Sequence, residues 1–298
     1  MITIQGKYNT AKVFTDTADE ATKKQIEVFC DQAAFEGQSI RVMPDCHAGK
    51  GCTIGTTMTI KDKVVPGVVG VDISCGMRVV EIADSKIDLQ RLDKCIHKAI
   101  PHGSGVRSKL HRWADQIDVT DLRCWKYLPC NGRKDPRLAI GSLGSGNHFI
   151  SVERSDAGVN YLIIHTGSRN LGLQVADYYQ QAAYDALHGQ DEYHKKKASQ
   201  ERKAIVDQLT AEGREKEISE ALKSYTYDPH IPAEIFNIPF ELCYVEGKLF
   251  EDYIHDMKIM QEFATLNRAA IADTIQCGMR YEVKDEWETI HNYIDTDN

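Results

Sequence analysis

The sequence predicts a mixed α/β fold in a single domain. Three observations carry that expectation. Short apolar runs of strand length end in glycine-punctuated loops at MPDCHAGKG, GVDISCGM, GSGNHF and IIHTGSR. Segments with helical period alternate with them, the longest from Phe250 to Ile275. No linker stands out, so one domain is expected over residues 1–298. A composition of 42% hydrophobic and 27% charged residues fits a soluble globular chain able to bury a core.

The elements follow in order. Thr17-Ala-Asp-Glu20 has the form of a capping box, and Ile26, Phe29, Cys30 and Ala33 continue at helical spacing. Ile40 to Met43 reads as a strand and Pro44 to Gly51 as a loop. Thr53 to Ile60, rich in Thr and Ile, reads as a second strand. Val64 to Asp72, broken by Pro66, Gly67 and Gly70, reads as strand, turn and buried loop. Met77 to Ile82 returns to strand character, and Asp88 caps a helix carrying Leu92, Cys95, Ile96 and Ala99. His102 to Leu138 has no clear period and is expected to be rich in loops. Tyr161 to Ile164 reads as a strand and Val175 to Leu187 as a helix. His194 to Ser224, dense in Lys, Glu, Gln and Ala, is expected to be solvated helix. In the last helix Tyr253, Ile254, Met257, Phe263, Ala264, Ala270 and Ile271 mark the apolar side.

Bulk properties narrow the function classes. No stretch approaches about 20 consecutive apolar residues, so no membrane span is expected. MITIQGKYNTAKVF does not read as a signal peptide. Nine cysteines without a CxxC, in a chain too large to need staples, are expected to be reduced thiols in a cytoplasmic protein. A net charge of −8 argues against nucleic-acid binding through bulk charge, though not against a local basic groove.

Chemistry concentrates where strand-like runs meet glycine-rich loops. Asp72 and Cys75 stand three residues apart in VGVDISCGM, His148 in GNHF, His165 in HTGSR and His291 in HNYI. One thiolate, one carboxylate and three imidazoles suit divalent transition metals. Five donors exceed one tetrahedral site. Two ions bridged by Cys75 would use all five, an arrangement suited to phosphoryl chemistry. Read one residue at a time, each histidine is as well explained as a hydrogen-bonded loop residue, and Cys75 as a small buried hydrophobe. A Cys75–His nucleophilic pair is a further alternative. There is no GxSxG elbow, and GSLGSGNHF lacks the Lys-Ser/Thr of a P-loop.

Taken in order, MPDCHAGKG, VGVDISCGM, GSLGSGNHF, HTGSR and HNYI resemble the RtcB family of RNA-splicing ligases. The resemblance implies the family's α/β fold with a central metal- and nucleotide-binding cleft. It also implies a GTP-dependent reaction with two Mn2+ ions that joins a 2′,3′-cyclic phosphate or 3′-phosphate RNA end to a 5′-hydroxyl end, in tRNA splicing or RNA repair. The partners implied are RNA, as tRNA halves or broken ends, and an archease-type activator. By motif, Asp72, Cys75 and His148 would hold one ion, and Cys75, His165 and His291 the other. Asn147, His148, Phe149, Ile150, Ser151, His291 and Asn292 would line the nucleotide pocket. Asp45 and Cys75 would act in catalysis.

The sequence departs from the family pattern in three ways. Ser151 stands where the family commonly has a glutamate that holds the nucleotide; Glu153 would share its face if the segment is a strand. Cys46 and Ser74 replace residues more often Val and Gly. The His-Gly-Ala-Gly-Arg context of the guanylylated histidine does not occur, which the resemblance reads as a chain incomplete at its C-terminus and unable to finish the cycle alone. Two further readings of the same cluster stand beside the ligase. One is a binuclear-metal phosphohydrolase or cyclic phosphodiesterase acting on RNA ends. The other is a non-catalytic, metal-stabilised RNA-binding protein.

Overall fold

The computed structural model describes residues 1–296. Its strands are β1 (Ile2–Gln5), β2 (Thr10–Val13), β3 (Ile40–His47), β4 (Ile54–Met58), β5 (Lys63–Val64), β6 (Gly76–Ile82), β7 (Phe149–Arg154), β8 (Asn160–Thr166), β9 (Val245–Glu246) and β10 (Val283–Ile290). Its α-helices are α1 (Glu20–Cys30), α2 (Pro66–Val69), α3 (Leu89–Ala99), α4 (Arg169–Leu187), α5 (Glu192–Ala211), α6 (Ile218–Ser224), α7 (Ala233–Phe236) and α8 (Gly247–Met279). The class is mixed α/β, as the alternating patterns predict.

Contacts gather the chain into two compact units, each built from two separate segments. Neither unit is continuous in sequence, so no single linker exists for composition to reveal.

The first unit comprises Met1–Val68 and Gln180–Glu246. Its four-stranded sheet has the order β1-β2-β3-β4, with a parallel β2/β3 pair between two antiparallel ones. A parallel pair needs a crossover, and α1 supplies it. Asp19, not Thr17, caps α1: its Oδ1 accepts the Thr22 N–H at 2.7 Å. Ile26, Phe29 and Cys30 are buried, and Phe29 stacks on Phe35 at 4.6 Å. β3 runs on through Pro44–His47, where the sequence suggests a loop. An irregularity in the pairing after Val42 lets His47 resume opposite Ile54 across a proline that has no N–H to offer. As the charged pattern predicts, α5 buries none of its residues.

The second unit comprises Val69–Tyr179 and the chain from Gly247. Its sheet has the order β10-β6-β8-β7 and is antiparallel throughout. One face carries Val80, Ile82, Leu162 and Ile164. They pack on Leu92 of α3 and on Ile271, Ala272, Ile275 and Met279 of α8. Each such side chain contributes about 1.5–3 kcal/mol when fully buried. Asp88 caps α3 as expected, accepting the Arg91 N–H at 2.9 Å.

The helix α8 spans 33 residues, yet no helix is long and apolar enough to cross a membrane among the described residues. Of the apolar side predicted for α8, only Ile254 is left half-exposed. Three polar residues, Asp256, Asn267 and Arg268, are buried completely on it. Asp256 accepts the N–H groups of Arg123 and Cys124 at 2.8 and 3.0 Å and the Tyr179 hydroxyl at 2.7 Å. It thereby anchors the loop-rich segment, which is folded into short 3-10 turns such as Arg112–Gln116 and Pro136–Ala139.

Candidate metal centre

The sheet of the second unit explains how distant motifs meet. Cys75 precedes β6, His165 lies near the end of β8, His148 precedes β7 and His291 follows β10. In an antiparallel sheet ordered β10-β6-β8-β7, these four positions fall at one end. Gly76 pairs with both Ile290 and Thr166, while His165 pairs with Met77 and Phe149. The His291 N–H donates to the Cys75 carbonyl at 2.9 Å, which extends the β6/β10 ladder to the two residues themselves.

Asp72 enters from the turn before Cys75. Asn292 Nδ2 donates to the Asp72 carbonyl at 3.1 Å, and the Ser74 N–H donates to the Asn292 carbonyl at 2.8 Å. The turn closes through Ser74 at φ 57°, a left-handed conformation for a residue with a Cβ. The Asp72 carboxylate accepts the Ser168 N–H at 3.0 Å. Gly167 makes that approach possible, because a Cβ there would lie 2.4 Å from Asp72 Oδ1.

The donor atoms form two triads that share one sulfur. Asp72, Cys75 and His148 make one, and Cys75, His165 and His291 the other; within each, the ligand atoms lie within 4.8 Å of one another. Cys75 Sγ is 3.5 Å from His148 Nε2 and 3.3 Å from His165 Nε2. His148 Nε2 lies 2.8 Å from Asp72 Oδ2, and His165 Nε2 lies 3.3 Å from His291 Nε2.

The outer ring nitrogens fix the tautomers. His148 Nδ1–H donates to the Leu143 carbonyl and His165 Nδ1–H to the Asn147 carbonyl, both at 3.0 Å. A carbonyl can only accept, so in the neutral rings both Nε2 lone pairs point inward. Nitrogen, oxygen and sulfur ligand atoms thus converge on one place, and a cation that displaced the protons among them would be held by all of them. The donor set fits divalent transition metals.

The charge states agree with this. Burial, reinforced by the Asp72 charge, pushes the Cys75 thiol up to about 12. Burial also pushes the Asp72 carboxyl up, but its hydrogen bond and charge interaction with His148 outweigh that, and its pKa falls. Burial lowers the His165 imidazole. Without an ion the thiol therefore keeps its proton, and a bound divalent cation would displace it.

Other expected site residues have varied placements. Asn147 offers its carbonyl to His165. Phe149 is 41% exposed, and its ring lies 5.2 Å from that of His165. Ile150 packs against the core on the opposite face of β7. Ser151 lies on the Phe149 face, its Oγ buried without a hydrogen-bond partner, and Glu153 shares that face. Asn292 holds the Asp72 turn. Asp45 lies exposed on β3 of the first unit and is not among the converging residues.

A cavity of about 760 Å³ opens beside the first triad, lined by Asp72, Gly103, Asn147, His148, Arg169 and Asn170 among others. Arg169 donates to Ser142 Oγ at 3.2 Å and to the Gly103 carbonyl at 2.9 Å, with its own backbone at φ 58°. The sequence quotes this arginine in HTGSR without signalling its role. Asn267 and Arg268 were missed, although a signal was there: they are two consecutive polar residues at i+4 from Phe263 and Ala264, on the apolar side of α8.

A mixed α/β chain that gathers a thiol, a carboxyl and three imidazoles into overlapping triads at a sheet end carries groups that could hold a metal ion. A family model described as tRNA-splicing ligase RtcB matches residues 30–298. The chain belongs to the RtcB family. It is 28% identical over 306 residues to RNA-splicing ligase RtcB1 of Escherichia coli strain ATCC 25922, covering 92% of this chain and 64% of that protein. It is 28% identical over 276 residues to RNA-splicing ligase RtcB of Escherichia coli K12, covering 86% of this chain and 57% of that one. Against tRNA-splicing ligase RtcB of Methanococcus maripaludis the identity is 35% over 186 residues, covering 46% and 39%. The chain thus spans less than two thirds of the length of these relatives.

Proposed function

We propose that this chain carries the metal-binding and RNA-end-binding part of a GTP- and Mn2+-dependent RNA ligase. The reaction joins a 3′-phosphate or 2′,3′-cyclic phosphate end to a 5′-hydroxyl end, on tRNA halves or broken RNA, with an archease-type protein as activator. One observation carries the reading: Cys75 Sγ is common to two triads of ligand atoms. A pair of divalent ions held there by Asp72, Cys75, His148, His165 and His291 would supply charge stabilisation for phosphoryl oxygens.

The chain's own residues do the rest. Arg169, held by Ser142 and Gly103 at the cavity wall, presents a cation to a phosphate. The exposed ring of Phe149 offers a stacking surface for a base. His148 and His165, tied by their Nδ1 atoms, cannot swing to solvent.

The test uses RNA whose 3′-phosphate already carries GMP, mixed with a 5′-hydroxyl strand and Mn2+. In this step the hydroxyl oxygen bonds to the 3′-phosphorus, the bond to GMP breaks, and the hydroxyl proton leaves. The proposal predicts joined RNA and one GMP per junction, with the rate reduced about 100-fold or more in Cys75→Ala. Release of the end group without joining would place the site in hydrolysis. RNA binding with neither reaction would leave a binding protein.

A further inference from the structure

Two neighbouring side chains on α8 reach the metal centre from beneath, and they reach different halves of it. Both are fully buried. Arg268 Nη1 donates to the Ser74 carbonyl at 2.8 Å and to the Thr166 carbonyl at 3.0 Å. Those carbonyls adjoin Cys75 and His165. Its Nη2 pairs with Glu288 Oε2 at 3.0 Å, on the strand that leads into His291. One planar guanidinium therefore ties together the three strand ends that carry Cys75, His165 and His291.

Asn267 serves the other group. Its Oδ1 accepts the N–H groups of Gly141 and Ser142 at 2.8 and 3.1 Å. This fixes the turn whose next residue, Leu143, holds His148 Nδ1. Its Nδ2 donates to the Gly167 carbonyl at 3.0 Å, next to Ser168, which holds the Asp72 carboxylate. Asn267 thus touches the supports of Asp72 and His148; its further, longer bond is to Thr166 Oγ1 at 3.4 Å, a hydroxyl that itself donates to the Leu143 carbonyl behind His148.

A purely packing role explains this placement poorly. Burying a guanidinium carries a desolvation cost, and Arg268 Nε has no partner to offset it. Its carbonyl acceptors are both backbone groups beside candidate ligands.

We propose that Asn267 and Arg268 are positioning residues with divided tasks. Asn267 sets the geometry of the Asp72–Cys75–His148 group, and Arg268 that of the Cys75–His165–His291 group. The inference rests on the metal-centre reading and deepens it. Supporting groups behind metal ligands typically change affinity 10- to 100-fold when altered.

The experiment titrates metal-free protein with Mn2+ and follows electron paramagnetic resonance, which separates free, isolated and coupled ions. Two backgrounds report one group each: His148→Ala leaves the Cys75–His165–His291 group, and His291→Ala leaves the other. Arg268→Lys keeps the charge but not the fork, and Asn267→Asp keeps the acceptor but not the donor. In the His148→Ala background, Arg268→Lys is expected to weaken the remaining ion about 10- to 100-fold while Asn267→Asp changes it less than about threefold. In the His291→Ala background the order reverses. Equal weakening in both backgrounds, no weakening, or the opposite assignment overturns the proposal. General loss of folding would instead lower the melting temperature of every variant and weaken both groups alike, which also counts against it. Wild-type protein that binds no pair of ions would overturn the metal-centre reading itself, a result distinct from a misassigned division between Asn267 and Arg268.

Discussion

Cys75 shows at the level of one residue how environment decides chemistry. Its thiol is pushed up to about 12 by burial first and by the Asp72 charge second. An ion that takes this sulfur as thiolate must expel its proton. Calorimetric titration with Mn2+ near neutral pH, in two buffers of different ionisation enthalpy, should therefore report release of about one proton per protein. Binding with no proton release would show that Cys75 is not a thiolate ligand. His165 makes a separate prediction for the metal-free protein. Burial holds its imidazole below the ordinary 6.5, so between the two values the unfolded chain binds more protons than the folded one. Stability then rises with pH through that window, and the melting temperature should fall as pH drops from about 7 to about 5. Asp72 acts further down the scale. Its lowered pKa gives stability that is present above 3.8 and lost as pH falls through the folded value. A melting temperature constant from neutral to mildly acidic pH would contradict the His165 assignment.

Elements differ in how clearly the sequence displays them. β6 and α3 are legible because their apolar residues keep a clean period and Asp88 marks a cap. The candidate site is legible as ordered motifs, since glycine beside Cys, His or Asp at strand ends is an unusual pairing. β10 escapes, because VKDEWETI is charged or polar at most positions and earns its place only by pairing with β6. The strand extension through Pro44 escapes because proline ordinarily signals a break. Arg169 escapes because nothing local distinguishes it from a surface arginine. Ser74 offers a test at this scale. Its left-handed backbone costs about 1–2 kcal/mol, and its buried Oγ has no partner. Glycine would remove both penalties while adding about 0.5–1 kcal/mol of unfolded-chain entropy. Ser74→Gly should therefore raise stability by about 0.5–1 kcal/mol in denaturant melts. A destabilised variant would mean that the serine makes a favourable contact outweighing its strain.

At the scale of the whole molecule, the five candidate ligands belong to one unit although they span the chain from Asp72 to His291. The sheet, not the sequence, makes them neighbours. A centre that exists only when this sheet is assembled should couple ion binding to folding. Mn2+ at 100 times its dissociation constant should stabilise the protein by about 2.7 kcal/mol, read as a rise in melting temperature. Cys75→Ala should abolish that rise, because both triads lose their common atom. The most direct measurement is anomalous X-ray scattering from crystals grown with Mn2+. Two peaks, each within bonding distance of Cys75 Sγ, with Asp72 and His148 on one and His165 and His291 on the other, are the predicted result. A single peak, or two peaks of which either lies away from that sulfur, would contradict it.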